Sequence, residues 1–203
     1  MRKLVYGLSA LAAVAAIAIG VLAYRIIDQG MGSTATVVGE ASIGGSFTLI
    51  NGAGETVTAA DFAGEPMLVY FGFTFCPEIC PTELLNIADA IDLLPAEIAQ
   101  RVQPIFITVD PERDTPEVVG EYARNFHPRM VGLTGSAEQV RTAAQAYRVY
   151  YAREEPAGGG PYMMAHSSYI YLMDGKGRYV RHFRMGTTPE EIAAAVTAHF
   201  EDA

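Results

Sequence analysis

Apolar and polar residues repeat with different periods along this chain, and each change of period marks an expected element. Residues 4–23 are apolar almost without a break, and Arg2 and Lys3 stand before them. At 1.5 Å per residue, a helix of about 20 residues spans about 30 Å, the thickness of a bilayer's hydrocarbon core. Residues 25–42 are rich in Gly, Ser, Thr and Val with little periodicity, as expected of a tether. From residue 43 the pattern is that of a packed domain. Residues 47–50 and 56–58, around Asn51-Gly52, predict a short hairpin. Residues 67–73 form a continuous apolar run, as in a strand buried on both faces, and residues 104–109 form a second. Between them Leu84, Ile87, Ala88, Ile91 and Leu94 recur at helical spacing. Thr115-Pro116 predicts the N-cap and first residue of a helix with Val118, Tyr122 and Phe126 on one face. Ser136 and Gln139 form a capping-box pattern before Val140, Ala143, Ala144 and Tyr147. Residues 168–173 and 179–184 flank the hairpin signal Asp174-Gly175-Lys176-Gly177. Thr188-Pro189-Glu190-Glu191 opens a last helix carrying Ile192, Val196 and Phe200.

The resulting order is hairpin, strand, helix, strand, helix, short strand, helix, strand, strand, helix. A parallel βαβ core closed by an antiparallel hairpin and a helix is the thioredoxin-like plan. The expected fold class is therefore α/β, thioredoxin-like with an N-terminal hairpin, preceded by a single transmembrane helix. The expected division is an anchor over residues 1–24, a tether over 25–42 and a domain over 43–203. Basic residues ahead of the apolar run favour an N-terminus on the cytoplasmic or matrix side and an exported domain. The rival is a cleaved signal peptide, whose apolar core usually has about 7–15 residues. Small-x-small triplets such as Ala10-Leu11-Ala12 lie inside the run rather than after it. No cysteine follows the run, which excludes a lipid-anchored lipoprotein.

Charge narrows the partners. The chain has 14 basic and 23 acidic residues, a net charge of −9, and no basic stripe, so nucleic acid is not an expected partner. Its two cysteines, Cys76 and Cys80, follow the first buried strand and enter the first helix. On a helical turn, residues i and i+4 share a face. Their Cα separation also falls within the range a disulfide tolerates, about 4.4–6.8 Å. A helix N-terminus lowers a thiol's pKa. A purely structural disulfide across so small a loop would restrict the unfolded chain little. That leaves dithiol–disulfide exchange or ligation of a soft metal. Thioredoxin-type enzymes use two intervening residues rather than three, and neither cysteine sits in the Pro-x-x-x-Thr-x-x-Cys pattern of a peroxiredoxin.

Of the four histidines, His182 reads as exposed on an alternating strand, His127 stands at a helix end without an evident partner, and His199 lies near the C-terminus. His166 follows Ala157-Gly158-Gly159-Gly160-Pro161, which reads as a mobile loop, and it directly precedes the 168–173 strand. In a thioredoxin-like plan the loop before that strand faces the active-site helix. His166 thus has a structural reason to meet the cysteines from far along the chain. Asp110, Glu78, Met163 and Met164 are secondary candidates, with a turn role, solvation and loop packing as their plainer functions.

Three motifs, Phe71-Gly72-Phe73-Thr74-Phe75-Cys76-Pro77-Glu78-Ile79-Cys80-Pro81, Val109-Asp110-Pro111-Glu112-Arg113-Asp114-Thr115-Pro116 and His166-Ser167-Ser168, resemble those of the Sco/SenC family. The resemblance runs from about residue 43 to 200, in order and with compatible spacing. It implies a membrane-tethered metallochaperone that helps assemble the dinuclear copper centre of cytochrome c oxidase. It implies Cys76, Cys80 and His166 as metal ligands and copper, as Cu(I) or Cu(II), as the metal. The implied partners are the copper-binding subunit of the oxidase, a copper donor and a thiol reductant. The implied location is the periplasmic face of a bacterial inner membrane or the mitochondrial intermembrane space. Two thiolates suit soft Cu(I), imidazole accepts both oxidation states, and a three-coordinate site leaves a position for an incoming ligand. One alternative is a thiol-disulfide reductase in which Cys76 and Cys80 are the catalytic pair and keep the oxidase's copper-site cysteines reduced. Another is a copper or redox sensor. Family members often carry an acidic residue before the histidine. Here that residue is Ala165, so another group must orient the imidazole.

Overall fold

The computed structural model describes residues 43–201 apart from Ala157. The apolar run of residues 4–23 and the tether lie outside the described residues. Among the described residues no helix is long and apolar enough to cross a membrane. The chain forms β1 (Thr48–Asn51) and β2 (Thr56–Thr58), a 3-10 turn (Ala59–Phe62), β3 (Met67–Gly72), α1 (Ile79–Asp92), a single-turn helix α2 (Ala96–Ala99) and β4 (Gln103–Thr108). It continues with α3 (Pro116–Phe126), β5 (Val131–Thr134), α4 (Ala137–Ala146), β6 (Tyr151–Glu154), β7 (Met163–His166), β8 (Tyr169–Met173), β9 (Tyr179–Arg184) and α5 (Pro189–Glu201).

Seven strands make one sheet in the order β2-β1-β5-β4-β3-β8-β9. β3, β4 and β5 are parallel, and β8 and β9 close one side antiparallel. This is the expected βαβ core with its antiparallel hairpin. Every residue of β3 is buried, as the unbroken apolar run requires of a central strand covered on both faces. Thr115 caps α3 by accepting the Val118 N–H, with Pro116 at the first helical position. Ser136 and Gln139 make the reciprocal capping box of α4. Thr188 and Glu191 bond the same way at the start of α5.

Three expectations change. The buried stripe of α3 runs through Val119, Gly120 and Ala123, while Val118 is exposed, because the helix turns one position further toward the sheet. His166 does not lie in a loop. It is the last residue of β7, which pairs with β6 in a separate two-stranded sheet, with Tyr151 opposite His166. The Gly-rich segment is only the tip of that hairpin, where Gly159 and Gly160 take positive φ. Cys76 is not helical. It lies in the turn before α1, whose first residue is Ile79.

Candidate metal centre

β3 ends at Gly72, and residues 73–78 turn over its end before α1 begins. That turn is fixed from outside. The Thr74 backbone N–H (3.0 Å) and its hydroxyl both donate to Asp114, which is fully buried and also accepts from Thr108. Burial raises the Asp114 pKa and these donors oppose the rise. Cys80, in the first turn of α1, is fully buried, whereas Cys76 is half-buried, and both are free thiols. The Cys80 N–H donates to Cys76 Sγ at 3.4 Å, so the helix N-terminus is aimed at this sulfur. Gly72 makes room for the pair: a Cβ there would stand 2.8 Å from Cys80 Sγ.

His166 approaches from β7, with Nε2 3.4 Å from Cys80 Sγ. The Sγ atoms of Cys76 and Cys80 and a ring nitrogen of His166 all lie within 4.8 Å of one another. Sequence reasoning brought these three together, and they meet. His166 Nδ1 lies 3.1 Å from the Ser167 carbonyl oxygen. A carbonyl only accepts, so Nδ1 carries the proton and the Nε2 lone pair is left facing the sulfurs. This backbone carbonyl orients the imidazole, the task left open by Ala165. Tyr70 and Phe73 present their rings edge-on to the imidazole, with centroids 6.2 and 5.8 Å away, and both are buried. They wall the histidine with apolar surface.

The two sulfurs are electrostatically unequal. A hydrogen bond from the Cys80 side chain, with backbone N–H groups, brings the Cys76 pKa down to about 4 against the opposing effect of burial. The same bond and burial push Cys80 strongly upward. One thiolate therefore stands at the accessible position, and one proton is kept at the buried one. Two soft sulfurs and a neutral imidazole nitrogen form a donor set suited to copper or zinc.

The other candidates do different work. Asp110 is buried and accepts from Arg113 Nε and, at 2.8 Å, from the Tyr162 hydroxyl. It holds neighbours rather than a metal. Glu78 is exposed at the N-cap of α1 and reaches Cys76 through its backbone. Met163 and Met164 pack against the core. His127 has a partner, since its Nδ1 accepts the Arg129 N–H at 3.1 Å. His182 is half-buried among Tyr169, Tyr171 and Tyr179, with Nδ1 2.7 Å from the Tyr179 hydroxyl. Glu83 escaped the sequence reading. It sits on α1 one turn after Cys80, is 1 % exposed, and has its pKa raised by burial. The only signal was its spacing between apolar residues.

The SCO1/SenC family model matches residues 35–201. Protein sco1 of Schizosaccharomyces pombe is 37% identical over 201 residues, covering 94% of this chain and 76% of that one. The crystal structure of Arabidopsis thaliana ScoI with copper bound superposes with a TM-score of 0.75 at 40% identity, covering 80% of this chain and all of that one. BsSco, described as carrying a disulfide switch and as a member of the Sco family of cytochrome c oxidase assembly proteins, superposes with a TM-score of 0.58 at 27% identity over 77% of this chain and 94% of that one. The thioredoxin-like α/β domain with its Cys-Cys-His cluster thus belongs to the SCO1/SenC family.

Proposed function

We propose that this protein is a membrane-tethered copper metallochaperone that holds copper through Cys76, Cys80 and His166 and delivers it to the dinuclear copper centre of cytochrome c oxidase. The observation that carries this reading is the convergence of two sulfurs and one oriented imidazole nitrogen within 4.8 Å at the half-exposed end of the sheet. Copper is cargo here. Two thiolates and one nitrogen satisfy Cu(I) and leave it accessible to an incoming ligand, so it leaves by stepwise ligand exchange. The low Cys76 pKa means that one thiolate is present before metal arrives. Loading then displaces the proton kept by Cys80, so affinity weakens in acid. Oxidation to a disulfide removes both thiolates, so a reductant is a required partner. The copper-bound relative and the oxidase-assembly description of another support the cargo and the client. The apolar run of residues 4–23 supports the tether and an exported domain on the periplasmic or intermembrane-space side.

A second reading has its own observation. An accessible low-pKa thiol beside a buried high-pKa partner is the asymmetry of a dithiol reductant. The thiol-disulfide reductase that keeps client cysteines reduced would use Cys76 as attacking and Cys80 as resolving sulfur. Cu(I) titration of the full chain in detergent, with His166→Ala alongside, separates the two. The metallochaperone requires one equivalent bound tightly by the reduced chain only. Tight binding should be lost in the variant, while the rate of disulfide reduction stays near that of the wild type. Unchanged Cu(I) affinity in His166→Ala rejects His166 as a ligand, and equal collapse of exchange rejects the division of roles.

A further inference from the structure

The hairpin that carries His166 is not part of the main sheet, yet His166 meets Cys80 at 3.4 Å. Something outside the sheet ladder must hold it. Among the described residues, the side-chain hydrogen bonds that tie residues 151–166 to the rest of the domain end on Asp110, Glu112 and Arg113, apart from those His166 makes to Cys80 and to the adjacent Ser167 carbonyl. The Arg113 Nη1 donates to the Tyr162 carbonyl at 2.9 Å, the Tyr162 hydroxyl donates to Asp110 at 2.8 Å, and Arg153 Nη1 donates to Glu112 at 3.1 Å. Arg113 is itself held by Asp110 through Nε.

The same guanidinium reaches both halves of the site. Its carbon lies 3.7 Å from the centroid of the Tyr162 ring, 4.9 Å from that of Phe75 and 5.8 Å from that of Phe73. Phe75 precedes Cys76, and Tyr162 stands four residues before His166. Arg153 also lies 3.7 Å from the Tyr162 centroid. Two cations thus lie against the Tyr162 ring, which ties the hairpin's own Arg153 and the Arg113 segment to one aromatic. Tyr151, Met163 and Met164 pack against the core, and beside them a half-open pocket of about 200 Å³ is lined by Val109, Asp110, Glu112 and Tyr162.

We propose that Arg113 is a positioning residue for the third ligand: clasped by Asp110, it fastens Tyr162 to the cysteine turn and so sets the reach of His166 Nε2 to the sulfurs. The inference rests on the copper reading above for its affinity readout but not for its metal-free one. Asp110 needs to be buried and anionic to hold the guanidinium in register, and lysine cannot replace an arginine that stacks and donates from two nitrogens at once.

The test is a double-mutant cycle on the full chain, with Cu(I) alone as probe and hydrogen exchange of the metal-free protein as second measurement. Arg113→Ala and Tyr162→Leu should each lower Cu(I) affinity about 10–100-fold, and Arg113→Lys should not restore it. In a His166→Ala background neither should lower it further, because the effect passes through the imidazole. Copper X-ray absorption should show loss of the imidazole signature with both sulfurs retained. In the metal-free protein the β7 amides should exchange faster while β3 and β4 amides do not. An equal further loss in the His166→Ala background means that Arg113 acts on the cysteine turn or the fold, and the proposal fails. So does unchanged exchange of β7. Failure of His166→Ala itself to weaken copper, with β7 exchange accelerated as expected, would sink the ligand assignment and leave the clasp standing.

Discussion

At the scale of single residues, the site turns on the inequality of two chemically identical side chains. Cys76 and Cys80 differ because one is half-exposed and receives the helix N-terminus, while the other is buried behind Gly72 and retains the shared proton. A folded-state pKa of about 4 at Cys76, depressed from about 9, has a definite sign for stability. A depressed acid stabilises the folded state above its unfolded pKa, and the contribution drains away as pH falls toward the folded value. For the reduced, metal-free protein, the melting-temperature advantage over Cys76→Ser should therefore shrink steadily from about pH 9 to about pH 4. A difference independent of pH would mean that Cys76 is an ordinary thiol. Mass spectrometry after a brief iodoacetamide pulse at pH 6 should find Cys76 labelled and Cys80 untouched, and labelling of Cys80 first would reverse the assignment. The cysteines and His166 were legible in the sequence because their chemistry is scarce: two cysteines and four histidines leave few combinations. Their environment was not legible. The Ser167 carbonyl that orients the imidazole is a backbone atom, and the Tyr70 and Phe73 walls read as core.

At the scale of elements, the segment between β4 and α3 holds the site together although it touches no metal. Asp114 grips the cysteine turn through Thr74, and Asp110 with Arg113 grips the histidine hairpin through Tyr162. The Asp110-to-Asp114 segment thus connects two parts of the chain that lie more than 80 residues apart. Periodicity recovered the main sheet and its helices because each buries a face of regular period, and the caps of α3 and α4 were written in Thr115-Pro116 and Ser136-Gln139. It missed β6 and β7, since four-residue strands of intermediate burial in a detached ribbon leave no clear alternation. It also placed Cys76 on a helix, because i,i+4 spacing looks the same whether a helix or a turn before it supplies the geometry. Asp114→Ala leaves the Thr74 N–H, the Thr74 hydroxyl and the Thr108 hydroxyl without an acceptor, two of them close to the cysteine turn. Chemical denaturation should register a loss of about 2–4 kcal/mol, and Cu(I) affinity should fall with it. A stability change under about 0.5 kcal/mol would show that water replaces Asp114 without cost and that the turn holds its own shape.

At the scale of the whole domain, the metal centre and Gly44, near the start of the described residues, lie toward opposite ends of β3. Gly44, at a φ of +91°, hydrogen-bonds Ala146, and a Cβ there would lie 3.5 Å from the Gly177 carbonyl in the β8–β9 turn. That turn extends beyond the Met67–Met173 pair, the first of β3. The cysteines lie beyond Gly72, at the other end of a strand about 17 Å long at the usual rise. In the proposed reading, residues 1–24 anchor the chain and residues 25–42 link that anchor to the domain. Tether length then sets where the site can reach a client and leaves what the site binds unaltered. Deleting residues 30–39 from the full chain should leave its Cu(I) affinity, measured in detergent, equal to that of the wild type. Copper transfer to an oxidase copper-binding subunit embedded in the same membrane should fall, because the effective concentration of two tethered sites vanishes once the linker cannot span them. Transfer to the isolated soluble portion of that subunit should be unaffected. Equal transfer in the membrane by both forms would mean that docking tolerates either height, and a weakened affinity would mean that the tether contributes to the site itself.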